Sequence, residues 1–540
     1  MTGLMMDYPL TLTHILERSA KLYPGKEIVS RMPDGSMHCY TYSAFYKRVH
    51  RLAHALKQLG LKEGDRVGTL CWNSYRHLEL YFAVPCAGLV LHTLNLRLAP
   101  DQLAYIANHA GDAAIFIDTS LLSVLEAIRP ELRSVRHIVV IDDLGDSLPA
   151  GLDYETLLEA APDRAFEWPK LDENAAAATC YTSGTTGNPK GVVYSHRSLF
   201  LHSYGICMAD TFALSERDTI LQLIPMFHAN GWGIPHAGIM TGSRLVLSGR
   251  HLHPADIALL IEQERITFSA GVPTVWMTLY SYLESHPRDV SSVRSIVVAG
   301  AAFPKQFVEL YYKKLGIRIM LAWGMTEITP IGTVMALKSH LESLPDDRRF
   351  DVMARHGLPL AGVDIRIVDA EGRELAWDAT TMGELQVRGP WVTGGYFDDP
   401  HNDGAFMDGW FRTGDVATID EEGYIQITDR TKDLVKSGGE WISSVDLENA
   451  IMAHPKVAEA AVVGVFHPKW QERPLACVVP LPQYKDQISK QEILDFLAAR
   501  VAKWWLPDEV VFIEAVPKTS VGKFNKRALR EQFKDYRLTD

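Results

Sequence analysis

The chain predicts an α/β fold: a large N-terminal domain of mostly parallel sheets flanked by helices, with a small β-barrel-like subdomain, and a small mobile α+β C-terminal domain. Three observations carry this. Helix-period and buried-strand patterns alternate through the first half. Short alternating runs with Gly-Asp and Gly-Tyr turns replace them between about 357 and 428. The charged segment DRTKD, 429–433, then leads into a return of helix and strand.

Along the first part, Val49, Leu52, Ala53 and Leu56 fall on one face of a helix over 42–59, which Gly60 stops. Arg66 to Cys71 reads as a buried strand, 76–88 as a helix, and 89–94, 113–118 and 137–141 as further strands. An open, mostly parallel sheet covered on both faces follows, and such sheets bind ligands beyond the carboxyl ends of their strands. Later, 363–368, 383–388 and 424–428 read as strands of the antiparallel subdomain. The expected division is 1–428, a hinge at 429–433, and 434–540, with no internal repeat.

At 540 residues the chain exceeds one core. Its 47% apolar and 22% charged composition is that of a globular protein, and a net charge of -12 argues against a sequence-independent grip on nucleic acid. No stretch approaches 18 uninterrupted apolar residues, so no transmembrane segment is expected. The N-terminus shows no basic start or signal-like apolar run, and the expected location is the cytoplasm. Cys39, Cys71, Cys86, Cys180, Cys207 and Cys477 are scattered without metal-binding spacing and read as reduced, mostly core thiols.

The run YTSGTTGNPKG, 181–191, packs three glycines, four hydroxyls and a lysine into eleven residues. Glycines let backbone N–H groups approach an anion, and hydroxyls and an ammonium add donors, so the run suits phosphate. A Walker A loop is excluded, because Pro189 precedes Lys190 and Gly191 follows it. The run also lies between two strand-like segments rather than before a helix. Read blandly, it is a surface hairpin.

Three other clusters carry chemistry. In AWGMTE, 322–327, Trp323 can stack on a purine and Glu327 is the hard oxygen ligand that Mg2+ prefers beside phosphates. Taken alone they read as a core aromatic and a helix-start charge. Asp415 in GWFRTGDVATID can accept ribose hydroxyls or be a plain turn aspartate. Lys523 follows a glycine in a basic segment and alone reads as a solvated lysine.

Together these segments resemble the adenylate-forming superfamily of acyl-CoA synthetases, luciferases and peptide-synthetase adenylation domains. YTSGTTGNPKG, PMFHANGW, AWGMTE, FRTGDVATID, DRTKD, KSGGEWISSVDLE and the final GK occur in order over almost the whole chain. KSGGEWISSVDLENAI and HPKWQERPLA look most like the bacterial medium- and long-chain fatty acyl-CoA synthetase branch.

The resemblance implies ATP, Mg2+ and coenzyme A, and a set of roles. Thr182, Ser183, Gly184, Thr185, Thr186, Gly187 and Lys190 would hold the ATP phosphates, with Thr182 and Glu327 near the metal. His228 would flank the reacting carboxylate and Trp232 would gate an acyl tunnel. Gly300, Ala301 and Trp323, with Gly324, Met325 and Thr326, would line the nucleotide pocket; Asp415 and Arg430 would take the ribose. Lys432 is the hinge position. Lys436, Trp441, Gly438 and Gly439 would line the site in a second conformation, and Lys523 would bridge the carboxylate and the α-phosphate.

The implied reaction makes an acyl-adenylate with release of pyrophosphate, then passes the acyl group to coenzyme A and releases AMP. A homodimer goes with the branch. Gly231, Gly233, Gly238 and His236 depart from a uniformly apolar tunnel and predict a wider or more polar pocket. Short-chain, sulfur-containing or aromatic acids therefore stay open as substrates. An adenylate-forming enzyme that does not use free coenzyme A and a silent nucleotide-binding protein are the competing classes.

Overall fold

The computed structural model describes residues 1, 3–142, 152–182, 188–400, 402–430, 432–437, 440–485, 487–518, 524–534 and 536–538. Among these, two large sheets organise the first part of the chain. One has seven strands in the order Leu152–Asp153, His137–Ile141, Asp112–Asp118, Arg66–Leu70, Val90–Thr93, Ala176–Tyr181 and Gly191–Ser195, parallel except for the last hairpin pair. The other has nine strands. Its parallel centre runs through Arg318–Gly324, Ser295–Val298, Phe268–Gly271, Thr219–Gln222, Arg244–Leu247 and Glu27–Arg31, with antiparallel strands at both edges.

The strands read from periodicity over 66–141 all fall in the seven-stranded sheet, while the nine-stranded sheet joins segments that local pattern does not connect. Strand Glu27–Arg31 pairs with Arg244–Leu247, some two hundred residues away, and local pattern carries no trace of such a partner. Strand and helix positions otherwise follow the expected ones: Tyr42–Gln58 is a helix whose start is capped by Thr41 Oγ1, and Tyr75–Cys86 is a helix capped by Ser74 Oγ. The second is buried on nearly every face. A helix apolar all round needs cover all round. Residues of both sheets and of the helices Leu12–Leu22, His196–Cys207 and Ile234–Thr241 form one continuous core with it.

The segment after about 357 is an antiparallel sheet of Asp364–Val368, Gly383–Arg388, Trp410–Ile419, Phe406–Met407 and Ile425–Arg430. After 434, a five-stranded sheet (Val435–Ser437, Glu440–Ile442, Gln471–Pro480, Val457–His467, Glu509–Phe512) packs with the helices Ser444–Met452, Lys490–Ala498 and Lys526–Gln532. None of the six cysteines, all among the described residues, forms a disulfide, and four are buried. No helix among the described residues is long and apolar enough to cross a membrane.

Four histidines, His77, His196, His202 and His236, are buried in the first core, and burial pushes their pKa values down to about 4, 4, 3 and 4. His196 Nδ1 and His202 Nε2 each accept a backbone N–H, as a neutral ring does. An unfolded chain protonates these rings near pH 6.5. Their contribution to stability is therefore complete above about pH 6.5 and is lost as pH falls through the folded values. The thermal unfolding midpoint should drop between about pH 6.5 and 4, and His236→Leu should make the drop shallower; a flat profile in differential scanning fluorimetry would contradict this.

Candidate functional site

The glycine-rich loop is closed by the strands Ala176–Tyr181 and Gly191–Ser195. Tyr181 pairs with Gly191, the Thr182 N–H donates to the Lys190 carbonyl at 2.9 Å, and the Lys190 N–H donates to Thr182 Oγ1 at 3.1 Å. Ser183, Gly184, Thr185, Thr186 and Gly187 lie outside the described residues. Beyond the loop, the Lys190 ammonium sits 2.8 Å from Asp399 Oδ2 and 4.6 Å from the Tyr396 ring centroid. The Phe397 N–H donates to the Gly191 carbonyl at 2.8 Å, which pins this segment to the hairpin.

Trp323 and Gly324 end the strand Arg318–Gly324, and Glu327 sits in the short turn Thr326–Ile328 rather than at the start of an α-helix. Gly324 admits no side chain, since a Cβ there would lie 2.0 Å from the Pro330 carbonyl oxygen. The turn is held from both sides: Tyr194 OH donates to the Thr326 carbonyl at 2.6 Å, and the Thr393 N–H to that of Glu327 at 2.7 Å. The Glu327 side chain is buried and accepts a hydrogen bond from Tyr396 OH at 2.7 Å. Burial pushes its carboxyl pKa up, while the Tyr396 bond and the Arg430 charge pull the other way.

Asp415 lies in the long strand Trp410–Ile419, directly opposite Arg430, and is not a turn residue. Its Oδ2 accepts the Trp323 indole N–H at 2.8 Å, and its Oδ1 is 3.1 Å from Arg430 Nε. The Asp415 charge holds the Arg430 pKa further above its ordinary value.

Ala229 to Gly233, just after His228, form a left-handed turn, with φ of 34° at Ala229, 39° at Asn230, 61° at Gly231, 60° at Trp232 and 72° at Gly233. Such a run of positive φ marks a site that the surrounding packing enforces. It brings His228 and Trp232 to one cavity wall. The glycines nearby do not widen a pocket: a Cβ at Gly233 would meet His202 Nδ1 at 2.5 Å, and one at Gly238 would meet Leu245 at 2.6 Å. His236 is buried against Tyr81 and Phe82 and is not on the cavity wall. Close packing accounts for this departure, so it does not by itself make the acyl pocket wide or polar.

One cavity of about 1220 Å³ collects the rest. Thr182 and Lys190 reach it from the hairpin, Gly300 and Ala301 from the loop after Ser295–Val298, and Trp323, Gly324, Met325, Thr326 and Glu327 from the next strand and turn. Asp415, Arg430 and Lys432 close it from the antiparallel sheet. Trp232, Val272 and Met277 add apolar side chains to its lining, and Thr274, Thr278 and Ser281 add polar ones. Lys436 is exposed on the hairpin opposite Trp441 and is not on this wall. Gly438, Gly439 and Lys523 lie outside the described residues, whereas Phe524 and Asn525 do line the cavity.

No group of three or more His, Cys, Asp or Glu side chains gathers to hold a metal among the described residues. A hydroxyl at Thr182 and one buried carboxylate at Glu327 instead fit Mg2+, which keeps several waters and shares itself with substrate phosphates. Tyr396 and Asp399 escaped the sequence reading. They contact Glu327 and Lys190 only through the fold, and GGYFDDP offers no local signal beyond an aromatic beside glycines.

Asp415→Ala should leave the Trp323 N–H and the Arg430 guanidinium without their shared acceptor and weaken nucleotide binding by about 1.5–3 kcal/mol, roughly 10- to 100-fold. Calorimetric titration with a non-hydrolysable ATP analogue checks this, and unchanged affinity would remove Asp415 from the nucleotide site.

Comparison with known proteins agrees with this geometry. Residues 16–397 match the AMP-binding enzyme family, and residues 446–523 match the AMP-binding enzyme C-terminal domain. The chain is 50% identical over 537 residues to a long-chain-fatty-acid–CoA ligase of Thermus thermophilus, covering 98% of this chain and 97% of that one. It is 43% identical to a 3-methylmercaptopropionyl-CoA ligase of Ruegeria lacuscaerulensis, covering 99% of each. Among solved structures, the anthranilate CoA ligase AuaEII in complex with anthranoyl-AMP superposes with a TM-score of 0.87 at 25% identity, covering 98% of both chains. The chain belongs to the AMP-binding enzyme family, as an AMP-forming acid–thiol ligase that works with ATP, Mg2+ and coenzyme A.

Proposed function

We propose that the protein activates a medium- or long-chain fatty acid as its acyl-adenylate and transfers the acyl group to coenzyme A. The supporting observation is the cavity in which Trp323, Glu327, Asp415, Arg430, Thr182 and Lys190 meet, with the apolar Trp232, Val272 and Met277 also in its lining. The 50% identity to a long-chain-fatty-acid–CoA ligase supports the same substrate class.

In this reading a carboxylate attacks the α-phosphate of ATP and pyrophosphate leaves, because oxide is too poor a leaving group for direct thioester formation. Two anions must be brought together, so the protein's task is positioning and charge neutralisation. Lys190 and the loop hydroxyls take the phosphates, Asp415 and Arg430 the ribose, and Trp323, Gly300 and Ala301 the adenine. Bound Mg2+ would neutralise phosphate charge, held by Glu327 and Thr182. Lys523 bridges the carboxylate and the α-phosphate. After residues 434–540 turn about a hinge at 429–433, with Lys432 as pivot, the thiol of coenzyme A attacks the adenylate carbonyl and AMP leaves; Lys436, Gly438, Gly439 and Trp441 enter at that stage. The reading also includes a cytoplasmic homodimer, a proposal that rests on likeness to the fatty acyl branch; light scattering should give about twice 60.3 kDa.

A second reading, a short, sulfur-containing or aromatic acid, has an observation of its own. Thr274, Thr278 and Ser281 place hydroxyls on the cavity wall beside Met277. The 43% identical 3-methylmercaptopropionyl-CoA ligase points the same way.

Pyrophosphate release across a panel of acids, with and without coenzyme A, separates the two. For a fatty acid, kcat/KM should rise by about 0.8 kcal/mol, roughly fourfold, with each methylene until the cavity is full; a short thioether or aryl acid that outruns the series would select the second reading. Lys523→Ala should lower adenylate formation by roughly 10² to 10³ while sparing thioester formation from supplied acyl-adenylate. Equal loss in both half-reactions would contradict its role.

A further inference from the structure

A buried ionic cluster at the junction after the antiparallel sheet plays no part in the roles above. Asp429, in the strand Ile425–Arg430, is 2% exposed. Its Oδ2 accepts the Ser444 N–H at 2.7 Å and also the Ser444 hydroxyl. The Ser443 hydroxyl donates to the Thr428 carbonyl at 2.5 Å. Lys526 opens the last helix and is 8% exposed; its ammonium donates to Ser444 Oγ and lies 2.8 Å from Glu448 Oε1. Glu448, 3% exposed, also accepts the Val462 N–H at 2.7 Å. One turn further along the helix, Arg530 pairs with Asp433 at 2.5 Å.

A buried ammonium is tolerated only with charged or strongly accepting partners, and taking one partner away leaves an uncompensated charge. Here the partners come from both sides of Lys432. Thr428 and Asp429 precede it; Ser443, Ser444, Glu448 and Lys526 follow. Any turn of the later part about Lys432 has to break the Asp429 and Thr428 contacts. Lys526 also stands three residues after Lys523. Lys518 and Phe524 form a β-bridge, and the Asn525 N–H donates to the Pro517 carbonyl at 2.7 Å. Phe524 and Asn525, next to Lys526, are thereby placed relative to the strand in which Arg430 faces Asp415.

We propose that Lys526 is a positioning residue: with Asp429, Ser444 and Glu448 it latches the later part of the chain onto the strand before Lys432, and adenylate formation needs this latch shut while transfer to coenzyme A needs it open. The proposal rests on the reading of Lys432 as pivot. The latch differs from an ordinary core contact in being specific to one arrangement of the two parts.

The full-length enzyme carrying Lys526→Met tests it through its two half-reactions. ATP–pyrophosphate exchange should fall by up to about a hundredfold, the loss that misplacement by about 1 Å can cause, while thioester formation from supplied acyl-adenylate should be unchanged or faster. Lys526→Arg should restore most of the exchange. Equal loss in both half-reactions, unchanged exchange, or no rescue by arginine would overturn the proposal, because a residue that merely held the fold would not split the two. If Lys526→Met does not fold, Asp429→Asn, which keeps shape and removes the charge facing Lys526, is read by the same criteria. Full acyl transfer by Lys432→Pro would refute the pivot reading by itself, whatever Lys526→Met shows.

Discussion

The arrangement depends on Asp415, a buried carboxylate that accepts an indole N–H on one oxygen and faces a guanidinium on the other. A buried charge without partners would be expelled or neutralised. Trp323 and Arg430 supply those partners from the third strand of the nine-stranded sheet and from the neighbouring strand of the antiparallel sheet. The aspartate thus fixes where the two sheets meet. Trp323, Asp415 and Arg430 all line the cavity, so part of its wall is set by the same bonds that join the sheets.

A second layer of contacts holds the anion-binding groups ready. Tyr396 orients the Glu327 carboxylate, and Asp399 engages Lys190. The first of these is buried and sets a direction. The second is partly exposed, where a lysine–carboxylate pair is weak and easily exchanged. A phosphate arriving at the loop therefore competes with a carboxylate that yields Lys190 at small cost. Positioning is strong where a metal ligand has to be aimed, and loose where a lysine has to change partners.

Much of the site was legible because its chemistry is local. Glycines, hydroxyls and a lysine within 181–191 announce a phosphate loop, and Trp323 and Glu327 stand four residues apart. The ordering of such segments along the chain supplied the family resemblance. Tyr396, Asp399 and Lys526 were not legible. A tyrosine, an aspartate and a lysine are commonplace, and only long-range pairing gives them partners at 327, 190 and 448. The glycines of 231–238 misled for a related reason. Their need for space comes from His202 and Leu245.

The sequence by itself determined the α/β class, the change to antiparallel structure after 357, and the segments that carry nucleotide chemistry, because periodicity and short-range spacing are written in consecutive residues. Tertiary structure alone decided which parallel strands share a sheet, that Asp415 lies on a strand opposite Arg430, and that a buried lysine joins the two sides of Lys432. These outcomes turn on which distant partner satisfies each buried hydrogen-bonding group or charge. That is a property of the packed chain as a whole, and no window of its residues contains it.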